Sequence, residues 1–182
     1  EGFDILKRWG DKKDQGCFVY TSNVDGHFQR TGFRESQIIE CHGAINHFQC
    51  IEPCCNEIWS GYGLDITVDE PTLMATSDLP LCSTCNQIAR PNILMFGDYN
   101  WLPDRTREQE DLYTNWISST TNLVVIELGA GKTIPTVRWM CEAAGGLLIR
   151  INPREYLVSH NGISIPLPAK DALLKIDSLI RG

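Results

Sequence analysis

Asn122-Leu-Val-Val-Ile-Glu-Leu128, then a helical pattern from Ile134 to Ala144, then Gly146-Leu-Leu-Ile-Arg-Ile151, is the stretch on which the fold turns. Two short, almost wholly apolar runs flanking an amphipathic segment read as buried parallel strands joined by a crossover helix. The same reading extends outward. Cys17-Phe-Val-Tyr20, Gln37-Ile-Ile-Glu-Cys41 and Asn92-Ile-Leu-Met-Phe96 are further short apolar runs, while Phe3 to Lys13, Asp104 to Ser119 and Ala169 to Ile180 carry apolar residues at helical spacing. Strands alternating with helices predict an α/β layered sheet with right-handed crossovers.

The whole chain agrees with a globular domain. Its 182 residues are enough to bury roughly 70% of the unfolded surface. Apolar residues make up 42%, charged residues 21%, and 16 Lys+Arg against 23 Asp+Glu leave a net charge of −7, which argues against a disordered chain and against nucleic acid as a partner. No apolar run approaches the ~20 residues of a membrane helix, so no membrane partner is expected either. The start, Glu1-Gly2-Phe3-Asp4, has neither an initiator Met nor a signal-peptide pattern, and reads as the start of a fragment or processed piece.

From about Phe48 to Ala89 the strand and helix patterns fail, and Gly, Pro, Asp, Thr and Cys dominate. The division expected is therefore 1–47 and 90–182 as the sheet-bearing parts, with 48–89 as an inserted module. Five of the eight cysteines, at 50, 54, 55, 82 and 85, lie in that module. Cys82-Ser-Thr-Cys85 is a tight knuckle able to aim two sulfurs at one ion, and Cys50 supplies a second pair with Cys54 or Cys55. Four thiolates make a closed tetrahedral zinc site, and metal binding is worth on the order of 10 kcal/mol to such a module. Free or disulfide-paired cysteines are the alternative. Cys50, Cys54, Cys82 and Cys85 are the favoured set, with Cys55 in reserve. Clustered cysteines and the lack of any Asn-x-Ser/Thr acceptor point to a reducing compartment, the cytoplasm or the nucleus.

Two loops gather chemistry. Thr21-Ser-Asn-Val-Asp-Gly26 follows the strand at 17–20, and Cys41-His-Gly43 follows Ile38–Glu40, at the strand ends where open α/β sheets bind ligands. Histidine is the side chain best suited to act as a base near neutral pH. Gly129-Ala-Gly-Lys-Thr133 imitates the end of a phosphate-binding loop, but Ile126 stands where that motif needs its first Gly, and Glu127 beside it would repel phosphate.

Tyr20-Thr-Ser-Asn-Val-Asp-Gly26, Ile39-Glu-Cys-His-Gly43, Leu79-Pro-Leu-Cys-Ser-Thr-Cys85 with Arg90-Pro-Asn-Ile-Leu-Met-Phe-Gly-Asp98, and Ile149-Arg-Ile-Asn-Pro153 resemble, in this order, the signatures of the sirtuins. The resemblance implies a Rossmann-like parallel sheet with an inserted small zinc-binding module, zinc as structural metal and NAD as co-substrate. It implies an NAD-dependent protein lysine deacylase that moves the acyl group of acyl-lysine to ADP-ribose and releases nicotinamide. On this resemblance His42 is the catalytic base on the ribose hydroxyls, Asn23 orients the nicotinamide ribose and attacking water, and Asp25 holds the leaving carboxamide. Thr21 and Ser22 join them at the cofactor, Gly129, Ala130 and Gly131 match the turn near its phosphates and ribose, and Asn152 matches the residue on the adenosine ribose. Leu94, Phe96 and Gly97 match the strand on which an acyl-lysine peptide pairs.

The sequence also departs from the family. Ser22 stands for the usual Gln, Gly129-Ala-Gly131 for Gly-Thr-Ser or Gly-Ser-Ser, and Cys50 to Cys54 is one residue wider than usual. The family's first strand and its Gly-Ala-Gly phosphate loop belong upstream of Phe3 and are missing, so weak NAD binding, little activity and self-association along the exposed sheet edge are expected of the 182 residues alone. An NAD hydrolase or mono-ADP-ribosyltransferase of the same fold, and a non-catalytic zinc-bearing interaction module, are the alternative functions.

Overall fold

A computed structural model describes residues 1–159 and 161–182. The chain is a mixed α/β fold that divides into two compact units, residues 1–20, 27–38 and 112–182 in the first and residues 21–26 and 39–111 in the second. Strands β1 (Val19–Thr21) and β2 (Ile38–Glu40) pair, and each starts in the first unit and ends in the second.

The first unit opens with α1 (Gly2–Asp11), and the short α2 (His27–Arg30) follows β1. Phe3, Phe28 and Phe33 pack edge to face, with ring centroids 4.9 and 5.2 Å apart. The chain returns to this unit through the C-terminal part of a long helix, where Tyr113 and Trp116 pack on Phe18. Downstream lie three strands of a parallel sheet, of which two are the runs at 122–128 and 146–151, trimmed to Val124–Leu128 and Leu147–Ile151; the third, Ile163–Ile165, completes the order. A helix over Thr136–Ala143 crosses between the first two strands. The last helix, Ala169–Arg181, buries Ala172 and Leu173 and packs against α1. Asp177 on it accepts hydrogen bonds from Arg8 Nη2 at 2.8 Å and Trp9 Nε1 at 2.9 Å.

Within the parallel sheet Glu127 stands directly opposite Arg150. Their side chains form a fork, Nε to Oε1 at 2.7 Å and Nη2 to Oε2 at 2.8 Å, and Arg150 also donates to Glu142 and to the Leu157 carbonyl. Burial acts against the Arg150 charge, but these carboxylates outweigh it and its pKa is raised. Glu127 is 1% exposed and held by this fork, so the phosphate-repelling role read for it from the sequence falls away.

The second unit is built on β3 (Gly43–Cys50), which pairs antiparallel with β4 (Trp59–Ser60) on one side; after the hairpin β5 (Val68–Asp69) and β6 (Met74–Ala75), β7 (Ala89–Ile93) pairs antiparallel on its other side. The run at 92–96, read from sequence as a buried parallel strand, is thus corrected. Its strand lies earlier, at 89–93, and runs antiparallel, while Leu94, Met95 and Phe96 are 37%, 58% and 93% exposed. Because β3 and β7 pair, residues 39–47 and 90–111 belong to the same unit as the cysteine-rich 48–89 segment. Continuing in chain order, α3 (Asp104–Ser119) is the long helix, β8 (Val124–Leu128), α4 (Thr136–Ala143), β9 (Leu147–Ile151), β10 (Ile163–Ile165) and α5 (Ala169–Arg181) complete the fold. No helix among the described residues is long and apolar enough to cross a membrane.

Candidate functional site

Strand β2 ends on a buried anchor. The Glu40 carboxylate takes a hydrogen bond from Arg105 Nη2 at 2.6 Å, its amide donates to Gln109 Oε1 at 3.0 Å, and its carbonyl accepts from Thr106 Oγ1 at 3.1 Å. All three partners lie on the first turns of α3. The chain beyond must therefore turn at once, through Cys41 and His42 into Gly43, whose φ is +76°. A Cβ on Gly43 would lie 1.9 Å from the Asn92 carbonyl oxygen, so both the dihedral and the space demand glycine. His42 is left half-buried at the tip of this turn.

The loop after β1 is tied to the same turn. Thr21 carbonyl accepts from the Cys41 amide at 3.0 Å, and Val24 carbonyl from the Ile45 amide at 2.9 Å. Thr21 Oγ1 accepts the Asn23 amide at 3.1 Å, which shapes the loop from inside. Thr21 is buried, Ser22 and Asp25 half-buried and Asn23 exposed. Asn23, Asp25 and His42 thus sit on two adjacent, hydrogen-bonded loops of one unit.

The residues read from sequence as the substrate strand join them. Leu94 amide donates to the His42 carbonyl at 3.0 Å, and Gly97 turns the chain with φ +70°. Arg90 and Asp98 close this segment at its base. Exposure of Leu94 and Phe96 leaves apolar surface free for a ligand.

Gly129, Ala130, Gly131 and Asn152 belong to the first unit. Gly129, φ +68°, donates to the Ile151 carbonyl at 3.0 Å. Asn152 is 7% exposed, and its amide holds the loops: Nδ2 donates to Ala130 carbonyl at 3.2 Å, while Oδ1 accepts from the amides of Arg154 and Glu155, both at 2.9 Å. Arg138 Nη2 donates to the same Ala130 carbonyl at 2.8 Å.

Among the described residues, Cys50, Cys54, Cys82 and Cys85 have sulfurs all within 4.8 Å of one another, and Cys55 is outside that set. A zinc tetrahedron with Zn–S about 2.3 Å has sulfur–sulfur edges of about 3.8 Å; Cys50 to Cys85 is 3.5 Å and Cys54 to Cys82 is 3.6 Å. The donor set therefore fits zinc in size and chemistry. The knuckle is preformed by Asn86, φ +60°, whose amide donates to Cys82 carbonyl at 2.9 Å. Backbone amides of Cys85 and Thr84 aim at the Cys82 sulfur and bring its pKa down to about 6. Neighbouring thiols act oppositely on Cys54, first Cys85, and push it up. A soft dication relieves that crowding of charge.

Sequence reasoning missed β3 and the polar residues inside it, above all Gln49, which is fully buried together with Asn92. No signal in the sequence marked Gln49, because a glutamine beside a cysteine is as ordinary on a surface as in a core.

A family model described as the Sir2 family matches residues 1–127. An NAD-dependent protein deacetylase of Thermotoga maritima is 30% identical over 137 residues, 74% of this chain and 49% of that protein. A probable bifunctional ADP-ribose hydrolase/ADP-ribosyltransferase of Fusarium oxysporum f. sp. cubense is 30% identical over 168 residues, 86% of this chain and 27% of that protein. The chain thus spans about half the length of the first of these relatives and about a quarter of the second. Among solved structures, Sir2 with a p53 peptide and NAD+ superposes with a TM-score of 0.64 at 22% identity, covering 100% of this chain and 70% of that one. Sir2 bound to acetylated peptide gives 0.65 at 22%, covering 100% and 71%. Its motifs in order, its cysteine tetrad and its α/β fold meet that match over most of its residues, and the chain belongs to the Sir2 (sirtuin) family.

Proposed function

We propose that this chain is the catalytic part of an NAD-dependent protein lysine deacylase. The observation that carries the reading is the 3.0 Å hydrogen bond from Leu94 amide to His42 carbonyl: the candidate base and the candidate peptide strand are held together within one unit. NAD supplies the ADP-ribosyl group that receives the acyl chain. His42 serves as general base, a ring nitrogen taking the proton of a ribose hydroxyl, a role typically worth ~10² to 10⁴ in rate. Asn23 and Asp25 act by geometry, orienting the ribose and the leaving carboxamide. Leu94 to Gly97 receives the acyl-lysine peptide as an added strand, main-chain bonds giving affinity and the exposed Phe96 an apolar contact for the acyl-lysine stem. Zinc at the four cysteines holds the module that β3 and β7 lead into. An intracellular setting goes with the reading, since thiolates must stay reduced to hold the metal.

The test is nicotinamide release from NAD with an acetyl-lysine peptide. Turnover that needs both the peptide and His42 is expected, slow for these 182 residues alone; nicotinamide release that is the same without the peptide, or without the His42 ring, would refute the reading. A second reading, NAD hydrolysis or ADP-ribosyl transfer, is supported by the likeness to the Fusarium protein over 86% of this chain. It predicts NAD loss without any acyl peptide.

A further inference from the structure

The ladder between β3 and β7 is broken in the middle. Gly43 and Ala44 stand opposite Ile93 and Asn92, but the next partners are Phe48 opposite Pro91, Gln49 opposite Arg90 and Cys50 opposite Ala89. Residues 45–47 of β3 therefore bulge between two partners that are adjacent on β7. Pro91 explains the place of the break, since proline has no N–H to give a ladder. One piece of the ladder lies beside His42 and the other beside the zinc ligand Cys50.

Side chains cross where the backbone does not. Gln49, on the cysteine side, is 0% exposed. Its Oε1 accepts from Asn92 Nδ2 at 2.8 Å and from the Leu102 amide at 3.0 Å, while its Nε2 donates to Asn100 carbonyl at 2.6 Å and Cys50 carbonyl at 3.3 Å. Two lone pairs and two N–H groups are the full capacity of a glutamine amide, and all are used. Asn92, on the His42 side and 1% exposed, gives its second N–H to Leu102 carbonyl at 2.9 Å. The loop so held contains Trp101, whose Nε1 would lie 3.2 Å from a Cβ on Gly43.

We infer that Gln49 is a positioning residue whose amide clamps across the ladder break and holds the Leu94–Phe96 segment in register with the His42 turn, ready to pair with the acyl-lysine peptide. Its neighbours make the choice of residue intelligible. Methionine in this place would strand the Leu102 amide and the Asn100 carbonyl without partners, and glutamate would have no donor for Asn100. The clamp rests on geometry alone; its substrate rests on the deacylase reading.

The experiment compares wild-type and Gln49→Met protein, both zinc-loaded, by amide hydrogen exchange and by steady-state kinetics on an acetyl-lysine peptide. Exchange at Leu94 and over 98–102 should rise about ten-fold, and KM for the peptide about ten-fold, with kcat within a factor of about three and zinc retained. Unchanged exchange at Leu94 overturns the clamp, whether or not the protein is a deacylase. Faster exchange with an unchanged KM overturns the positioning role. If the wild type turns over too little peptide for a KM, titration of peptide binding stands in for it, with the same weakening of about ten-fold expected, and exchange still decides the clamp. Should Gln49→Met lose zinc or fail to fold, Gln49→Glu carries the same readouts, because it keeps both acceptor bonds and loses the donor to Asn100; wild-type behaviour of that variant overturns the inference.

Discussion

Arg90 and Asp98 face each other as a two-pronged pair, Nη2 2.9 Å from Oδ1 and Nη1 2.8 Å from Oδ2, with their side chains 14% and 8% exposed. Asp98 Oδ1 also accepts the Asn100 amide, so one carboxylate closes the loop that displays Leu94 to Phe96. Burial acts to raise the Asp98 pKa, but the Arg90 guanidinium outweighs it and holds the carboxyl below its ordinary value. An unfolded aspartate titrates at about 3.9. The stability this pair contributes is therefore complete above pH about 4 and is lost as pH falls through the lower folded value. Urea midpoints measured from pH 7 to pH 3 should show that loss in the wild type, and Asp98→Asn should show less of it.

His42→Ala should lower peptide-dependent nicotinamide release by about 10² to 10⁴ while leaving zinc content and melting temperature near wild type. Its backbone carbonyl, which holds Leu94, is untouched by the change. Wild-type turnover in this variant would make the histidine structural.

Zinc should be found at one per chain. Cys82→Ser should lose it, with loss of structure around residues 48–89, whereas Cys55→Ser should keep it, since Cys55 is outside the set of mutually close sulfurs. Metal analysis of the two purified variants decides both halves.

Glu127→Gln breaks the fork to Arg150 and leaves a buried guanidinium short of its countercharge. Removing one partner of a buried pair costs about 3 to 5 kcal/mol, and chemical denaturation should read a loss of that size. Replacing Glu127 and Arg150 together by Leu and Met should recover part of it, because the two charges of the fork go at once while the buried Arg138, 3.8 Å from Glu127, stays behind.

The legible parts of the chain were those whose chemistry is local. β8, α4 and β9 announced themselves by period, and the cysteines by spacing, because each apolar run or Cys-x-x-Cys knuckle is decided within a few residues. β3 was not legible: Asn46, His47 and Gln49 interrupt its apolar pattern, and its bulge destroys the period of two. Leu94, Met95 and Phe96 misled in the opposite sense. An apolar triplet after a strand reads as more strand, yet here it is exposed surface. Asn152, which reads as a ligand contact by likeness, also uses its amide to shape the loops around Ala130 and Glu155, a part of its work that only the three-dimensional structure displays.

The bonds from Arg8 and Trp9 to Asp177 join helices 169 and 168 residues apart in sequence. During synthesis at roughly 5 to 20 residues per second, α1 leaves the ribosome some ten to thirty seconds before the helix it packs against exists. The docking of α1 onto α5 is thus among the last events of folding, and nascent chains stalled before α5 will show α1 more open to proteases than the full 182 residues do.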